Sequence, residues 1–203
     1  MTSLSDSEST GADGVRSHRI GPGTFVAVVG GSGVGKDSIL DYARDRTEDA
    51  VFVRRAITRS PGRGEDSRHI TEDEFAAAAD SGGFAVAWRA HGLSYGLPIA
   101  VDDVVRGGGI AIANVSRTVL GALADRYERL RVVRVSVSPE VRQARLAARG
   151  REAQHDIAAR LDRADPAPDA PADLEIVNEG TIAEAGELLL DFLRDLQQEA
   201  GPR

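Results

Sequence analysis

The sequence predicts an α/β protein with a mainly parallel sheet layered between helices, a three-layer α/β/α arrangement. Three observations lead there. Apolar runs such as "TFVAVVG" (24–30) and "GGGIAIANVS" (107–116) are continuous rather than alternating, as strands buried on both faces require. Segments with helical spacing follow several of these runs, and Ser, Thr, Pro and Gly stand at helix boundaries. Strands that alternate with helices pair in parallel and place ligands at the carboxyl ends of the strands.

Each element has its own warrant. "TFVAVVG" is the first strand, a glycine-rich turn follows, and "DSILDYARDR" (37–46) has helical spacing. "VFVRRAIT" (51–58) reads as one strand, and "RSPGRGEDSR" (59–68) holds too much Gly, Pro and charge for regular structure. Thr71 and Glu74 stand in capping-box register at the head of "TEDEFAAAAD". "FAVAW" (84–88) is a strand and "HGLSYGLP" (91–98) a turn. "IAIAN" (110–114) precedes a helix expected over 117–128, and "RVVRVSV" (131–137) precedes another in which Ser138 caps, Pro139 opens and Gly150 closes. A further helix is expected near "HDIAARLDRA" (155–164), and the Pro-rich "DPAPDAPAD" (165–173) is a loop. "LEIVN" (174–178) is the last strand, and Thr181 with Glu184 caps a terminal amphipathic helix.

Composition narrows the function. At 203 residues the chain suits one domain with small inserts, expected over 23–199 after a disordered polar tail at 1–22 that is neither a secretion signal nor a membrane span. With 32 acidic residues against 25 Lys and Arg, a general field for nucleic acid or an anionic membrane is excluded, so any anion site is built locally. There are no cysteines and the four histidines lack ligand spacing, which removes disulfides and Cys-based metal sites and suits a reducing cytoplasm. Oligomeric state, a homodimer included, is not encoded in any pattern of the sequence.

Gly30, Gly31, Ser32, Gly33, Val34, Gly35 and Lys36 satisfy G-x-x-x-x-G-K between a strand and a helix, the context a phosphate-binding loop requires. Backbone N–H groups and the helix N-terminus hold phosphate oxygens there, and the lysine reaches the outer phosphates of ATP. Lys36 is the only lysine in the chain; every other cationic side chain is arginine. A compact ammonium thus stands at the one place where this motif uses one.

Asp37 occupies the position where Ser or Thr usually follows. Two readings stand, and both can hold: a Mg²⁺ ligand beside the hydroxyl of Ser38, or an acidic residue favoured by the helix N-terminus. Asn114 ends its strand where many phosphate-loop enzymes carry a metal-binding Asp, and Asp37 supplies the charge missing there.

The stretches "GGSGVGKDS", "AITR", "WRAHGLSYG", "NVSR", "RLAARGRE" with "IAARLDRA", and "IVN" occur in an order that resembles the guanylate-kinase-like family, from about Phe25 to the terminal helix. Within it, "GKDS" is similar to the branch that phosphorylates ribose 1,5-bisphosphate with ATP during phosphonate breakdown. The resemblance implies an acceptor-binding insert at about 54–98 and a lid at about 149–160. It also implies ATP and Mg²⁺ on Gly30 to Ser38, an acceptor phosphate on Arg59, phosphoryl-stabilising arginines at Arg145, Arg149 and Arg160, and Asn178 beside the adenine.

Physical reasons accompany these assignments, each with a plainer alternative. Arg59, Arg63 and Arg68 lie on a loop, where a guanidinium forks onto phosphate or simply stays solvated. Arg145 and Arg149 project from one helix face, where transition-state charge and the helix dipole both favour cations. Asn114 and Asn178, the only asparagines, end strands at the presumed cleft or serve turn chemistry. Arg117 of "NVSR" is a further phosphate ligand. Trp88, His91 and Tyr95 are candidates to shape the acceptor pocket, although a Trp in an apolar strand such as Trp88 is more often a core residue, and neither His69 nor His91 has an evident base partner. Guanine-reading relatives carry a glutamate where this chain has Val86, so a base pocket lacks its polar partner and a doubly phosphorylated sugar suits the arginines better.

Overall fold

The computed structural model describes residues 19–59, 67–90, 92–148 and 171–199. Five strands form a parallel sheet in the order β2-β7-β1-β8-β9: β1 (Ile20–Val29), β2 (Ala50–Phe52), β7 (Ile110–Asn114), β8 (Tyr127–Ser136) and β9 (Leu174–Val177). A second sheet, β4-β3-β6-β5, is built from β3 (Ala56–Ile57), β4 (Arg68–His69), β5 (Phe84–Ala90) and β6 (Leu93–Pro98).

Alternation along β1 sets the layers. Val26 and Val28 face Ile39, Leu40 and Ala43 of α1 (Lys36–Arg44) and Leu189, Leu190 and Leu193 of α6 (Ile182–Glu199). Phe25, Ala27 and Val29 face the opposite way, toward Val101 and Val105 of α3 (Val101–Arg106) and Leu123 of α4 (Leu120–Arg126). Both faces of the strand are thus apolar because both are covered. Truncating fully buried Leu189 to Ala leaves a cavity and costs about 2 to 5 kcal/mol.

The second core cluster also takes in Ala85, Trp88 and Leu97, so the smaller sheet is packed onto the larger one. Trp88 is a core residue that stacks on Tyr95 with ring centroids 5.4 Å apart. Helix α2 (Glu72–Asp80) lies against this sheet through the Phe75–Phe84 stack, and its Thr71–Glu74 capping box forms as the spacing predicts.

Several boundaries differ from the sequence expectation. β1 begins at Ile20, paired with Tyr127, and so takes in the end of the segment expected as a tail. "VFVRRAIT" is two strands in different sheets: Val53 N still donates to Ile112 O at 2.8 Å, whereas Ala56 and Ile57 pair with Gly96 and Tyr95. "HGLSYGLP" contains a strand rather than a turn. Gly96 is tolerated inside it because the Phe84 ring fills the space where a Cβ would stand, 2.5 Å from the ring. The helix expected over 117–128 is a 3₁₀ turn (Arg117–Val119) followed by α4, and it ends before Tyr127. Tyr127 turns inward to stack on Phe25 and to donate from its hydroxyl to Asp102 at 2.9 Å. Helix α5 (Pro139–Ala148) forms as expected, while Gly150 and the helix expected near 155–164 lie outside the described residues.

Asp102 itself was not singled out by pattern. It is fully buried on α3, accepts from Arg126 Nε at 3.0 Å and from Arg126 Nη2, and has Arg106 Nη2 at 3.5 Å. Burial raises its pKa, but the Arg126 and Tyr127 hydrogen bonds and the two guanidinium charges outweigh that and hold the carboxyl below its ordinary value. The same arrangement pushes the Tyr127 hydroxyl up, chiefly by burial and then through Asp102.

Candidate active site

The site lies at the carboxyl ends of β1, β7 and β8, where β1 passes into the glycine loop. Gly30 has φ 150°, and a Cβ there would lie 2.3 Å from Val135 O on β8. Gly35, at φ 94°, caps α1, and its Cβ would lie 2.4 Å from Asn178 Nδ2. Both positions therefore need glycine for space as well as for conformation. Beyond them α1 starts at Lys36, so the unpaired N–H groups and positive dipole end of a nine-residue helix point into the loop.

Lys36 Nζ donates to Gly30 O at 2.8 Å and to Gly31 O at 2.9 Å. Desolvation lowers its pKa to about 8, Asp37 opposes that, and the charges of Arg55, Arg117 and Arg142 add to it. The amine is thus held by two carbonyls, with one carboxylate beside it and three guanidinium groups whose charges Asp37 does not offset in number.

Asp37 and Asn114, separated in sequence, are in contact: Asn114 Nδ2 donates to Asp37 Oδ1 at 2.7 Å. Ser38 is exposed on the first turn of α1. Asn178, expected beside the adenine, is fully buried, and its Nδ2 donates to Val34 O at 2.8 Å. Its position is beneath the loop, as a brace for the backbone. Asn178 Oδ1 and Arg145 Nη1 are buried polar atoms without a hydrogen-bond partner among the described residues, and Arg145 Nη1 lies 3.8 Å from where a Gly35 Cβ would stand.

Arg142 Nε donates to Ser32 O at 3.1 Å, and its guanidinium carbon is 3.2 Å from the position of a Gly31 Cβ. Arg117 is half-buried; burial and the charges of Arg134 and Arg142 lower its pKa. Arg55 Nη1 donates to Asn114 O at 3.2 Å. A shallow groove runs beside the loop, lined by Asp37, Leu40, Asp41, Arg44, Val53, Arg55 and Asn114.

The structure thus gathers Gly30 to Ser38, Asn114, Arg117, Arg145 and Asn178. Tyr95 reaches the same region through its ring, which has the Arg55 guanidinium 5.3 Å from its centroid. Arg59 follows β3, and its carbonyl accepts from His69 Nδ1 at 2.8 Å. Arg68 is exposed on β4, with its backbone N–H bonded to Arg55 O. Arg63, His91, Arg149 and Arg160 lie outside the described residues.

Two members of the cluster escaped sequence reasoning. Arg142 precedes Arg145 by three residues, a helical-face spacing that pointed to it as well as to Arg149. Arg55 carried no such signal, because the chain around it reads as an uninterrupted strand.

A parallel sheet with a glycine loop, a lone lysine at a helix start and convergent arginines defines a phosphate-loop kinase. The fold is similar to that of the guanylate kinase from Anaplasma phagocytophilum, with a TM-score of 0.65 at 19% identity over 88% of each chain. No family profile matches the sequence. Curated relatives do. The chain is 56% identical over 178 residues to the ribose 1,5-bisphosphate phosphokinase PhnN of Pseudofrankia inefficax, covering 87% of this chain and 94% of that one. It is 45% identical to the protein of the same name from Brucella melitensis (86% and 93% covered) and 42% identical to that from Bradyrhizobium diazoefficiens (87% and 90%). The chain belongs to the ribose 1,5-bisphosphate phosphokinase family.

Proposed function

We propose that the protein transfers the γ-phosphoryl group of ATP to the 1-phosphate of ribose 1,5-bisphosphate, giving 5-phospho-α-D-ribose 1-diphosphate and ADP, in the setting of phosphonate breakdown. An oxygen of the 1-phosphate forms the new bond to γ-phosphorus, and the bond from γ-phosphorus to the β–γ bridging oxygen breaks. The acceptor oxygen is already anionic near neutral pH, so no general base is required.

The observation that carries this reading is the Lys36 ammonium, held between Gly30 O and Gly31 O among Arg55, Arg117 and Arg142 in a chain of net charge −7. Lys36 and the loop N–H groups hold the β and γ oxygens, and Arg145 and Arg117 offset charge that develops on the transferring group. Arg149 and Arg160 belong to the same proposal as lid residues, and Arg59, Arg63, Arg68 and Tyr95 as acceptor contacts. Exclusion of water around the γ-phosphoryl group protects ATP from hydrolysis.

Mg²⁺ fits the residues present when it arrives on the nucleotide. Asp37 offers a hard carboxylate oxygen, oriented by Asn114, and Ser38 an exposed hydroxyl, while no group of three His, Cys, Asp or Glu that could cage a metal exists among the described residues. One or two protein oxygens with phosphates completing the shell is how this ion is usually held. When bound, it neutralises phosphate charge.

A coupled ADP-release assay with ribose 1,5-bisphosphate and with GMP tests the proposal. Turnover is expected with the sugar and little with GMP, because Val86 pairs with Leu97 in the second sheet and offers a base no polar atom. GMP turnover equal to or above that with the sugar overturns the acceptor. Failure of ATP to bind in the presence of Mg²⁺ overturns the kinase.

A further inference from the structure

Arg55 lies on the link between β2 and β3, hence between the two sheets. The backbone is held on both sides of the link: Val53 N donates to Ile112 O at 2.8 Å, and Arg55 O accepts from Arg68 N at 2.9 Å. The side chain spans the same junction, with Nη1 on Asn114 O of β7 at 3.2 Å and the guanidinium 5.3 Å from the centroid of the Tyr95 ring on β6. It also lines the groove that Asp37 and Asn114 share.

Asn114 O takes one of the five N–H donors in the guanidinium fork. An arginine seated on an aromatic ring and a carbonyl is aimed rather than solvated, and its fork matches the oxygens of a phosphate. Its carbonyl partner belongs to Asn114, whose amide holds Asp37 next to Lys36, so Arg55 stands on the glycine-loop side of the junction, beside the transferring group rather than at the far end of the acceptor.

We propose that Arg55 determines acceptor specificity by forking onto the 1-phosphate of the sugar and holding its attacking oxygen in line with the γ-phosphoryl group on the glycine loop. This rests on the function proposed above. The second phosphate of the acceptor is left to other residues, so Arg55 reads the presence of the 1-phosphate and not the number of charges.

Arg55→Met and Arg55→Lys test it, with steady-state kinetics for both substrates, ribose 5-phosphate as a competitive inhibitor, and calorimetry of ribose 1,5-bisphosphate without nucleotide. Loss of a charged hydrogen-bonding pair is expected to raise the KM and Kd for ribose 1,5-bisphosphate about 10- to 100-fold in Arg55→Met. The KM for ATP should stay within about twofold, and the ribose 5-phosphate inhibition constant should not move, because that ligand lacks the 1-phosphate. Arg55→Lys keeps the charge without the fork and should recover part of the loss; it also carries the test if Arg55→Met does not fold. Unchanged acceptor constants overturn the inference, as do equal rises in both KM values or a parallel loss of ribose 5-phosphate inhibition. A wild-type enzyme that neither binds nor turns over ribose 1,5-bisphosphate overturns the proposed function together with this inference, whereas normal wild-type turnover with an unaffected Arg55→Met removes only the inference.

Discussion

Asn114 donates its side-chain amide to Asp37 Oδ1 at 2.7 Å, joining the end of β7 to the first turn of α1. Many phosphate loops pair a hydroxyl on the helix with a carboxylate on the strand; here the carboxylate stands on the helix and an amide ends the strand. One oxygen of Asp37 is oriented by Asn114, and on the function proposed above its negative charge would face the divalent cation carried by the phosphate chain.

Replacing Asp37 with Ser restores the usual hydroxyl but leaves no carboxylate on either side. The Mg²⁺ concentration needed for half-maximal turnover is expected to rise about tenfold, with thermal stability changed by less than about 1 kcal/mol. Titrating Mg²⁺ at fixed ATP measures it, and an unchanged requirement would reduce Asp37 to a helix-terminus residue.

For Lys36→Met the expectation is a split between activity and stability. Turnover should fall by about 10³-fold or more, because the group that neutralises the outer phosphates is gone. Thermal stability should hold or rise slightly, since the native ammonium is desolvated among like charges. A kinetic assay beside a melting curve reads both, and retained turnover would remove Lys36 from the mechanism.

Asn178→Ala deletes the donor that Val34 O receives inside the protein. An unsatisfied buried carbonyl costs about 1 to 3 kcal/mol, and the unbraced loop should raise the KM for ATP while leaving that for the sugar nearly unchanged. Equal changes in both constants would indicate a general loss of structure instead.

Asp102→Asn probes the core away from the site. The carboxylate is buried but its arginine partner is partly exposed, so losing this charged hydrogen-bond acceptor costs about 1.5 to 3 kcal/mol at neutral pH. Because the folded-state pKa lies below the ordinary 3.8, the unfolded chain takes up the proton first as pH falls. The stability from this carboxylate is therefore present at neutral pH and lost as pH drops below that value and through the folded one. Urea unfolding at pH 7 and near pH 3 should show the gap between wild type and variant narrowing in acid; a constant gap would mean that Asp102 acts through shape alone.

What the sequence made legible follows from where local chemistry decides structure. The glycine loop, both capping boxes, Pro139 at a helix start and the doubly apolar strands are local signals, and they stand where they were expected. Gly96 and Pro98 misled because cross-strand pairing with β5, invisible in a window of ten residues, overrides turn composition. Arg55 was hidden for the same reason: the break between β2 and β3 is imposed by two sheets competing for one segment. The contact of Asp37 with Asn114 was anticipated only as a matter of charge; its geometry depends on β7 lying beside β1.

One consequence of the Lys36 setting concerns chemical labelling. The chain has a single side-chain amine, and its pKa of about 8 leaves a substantial neutral fraction in mildly alkaline buffer. Acylating reagents that decorate most proteins at many places would here have one lysine to modify, in the glycine loop, besides the α-amine of the chain, whose ordinary pKa is also about 8. On the function proposed above, acylation of Lys36 rather than of the α-amine is expected to stop turnover, and bound nucleotide to shield that lysine.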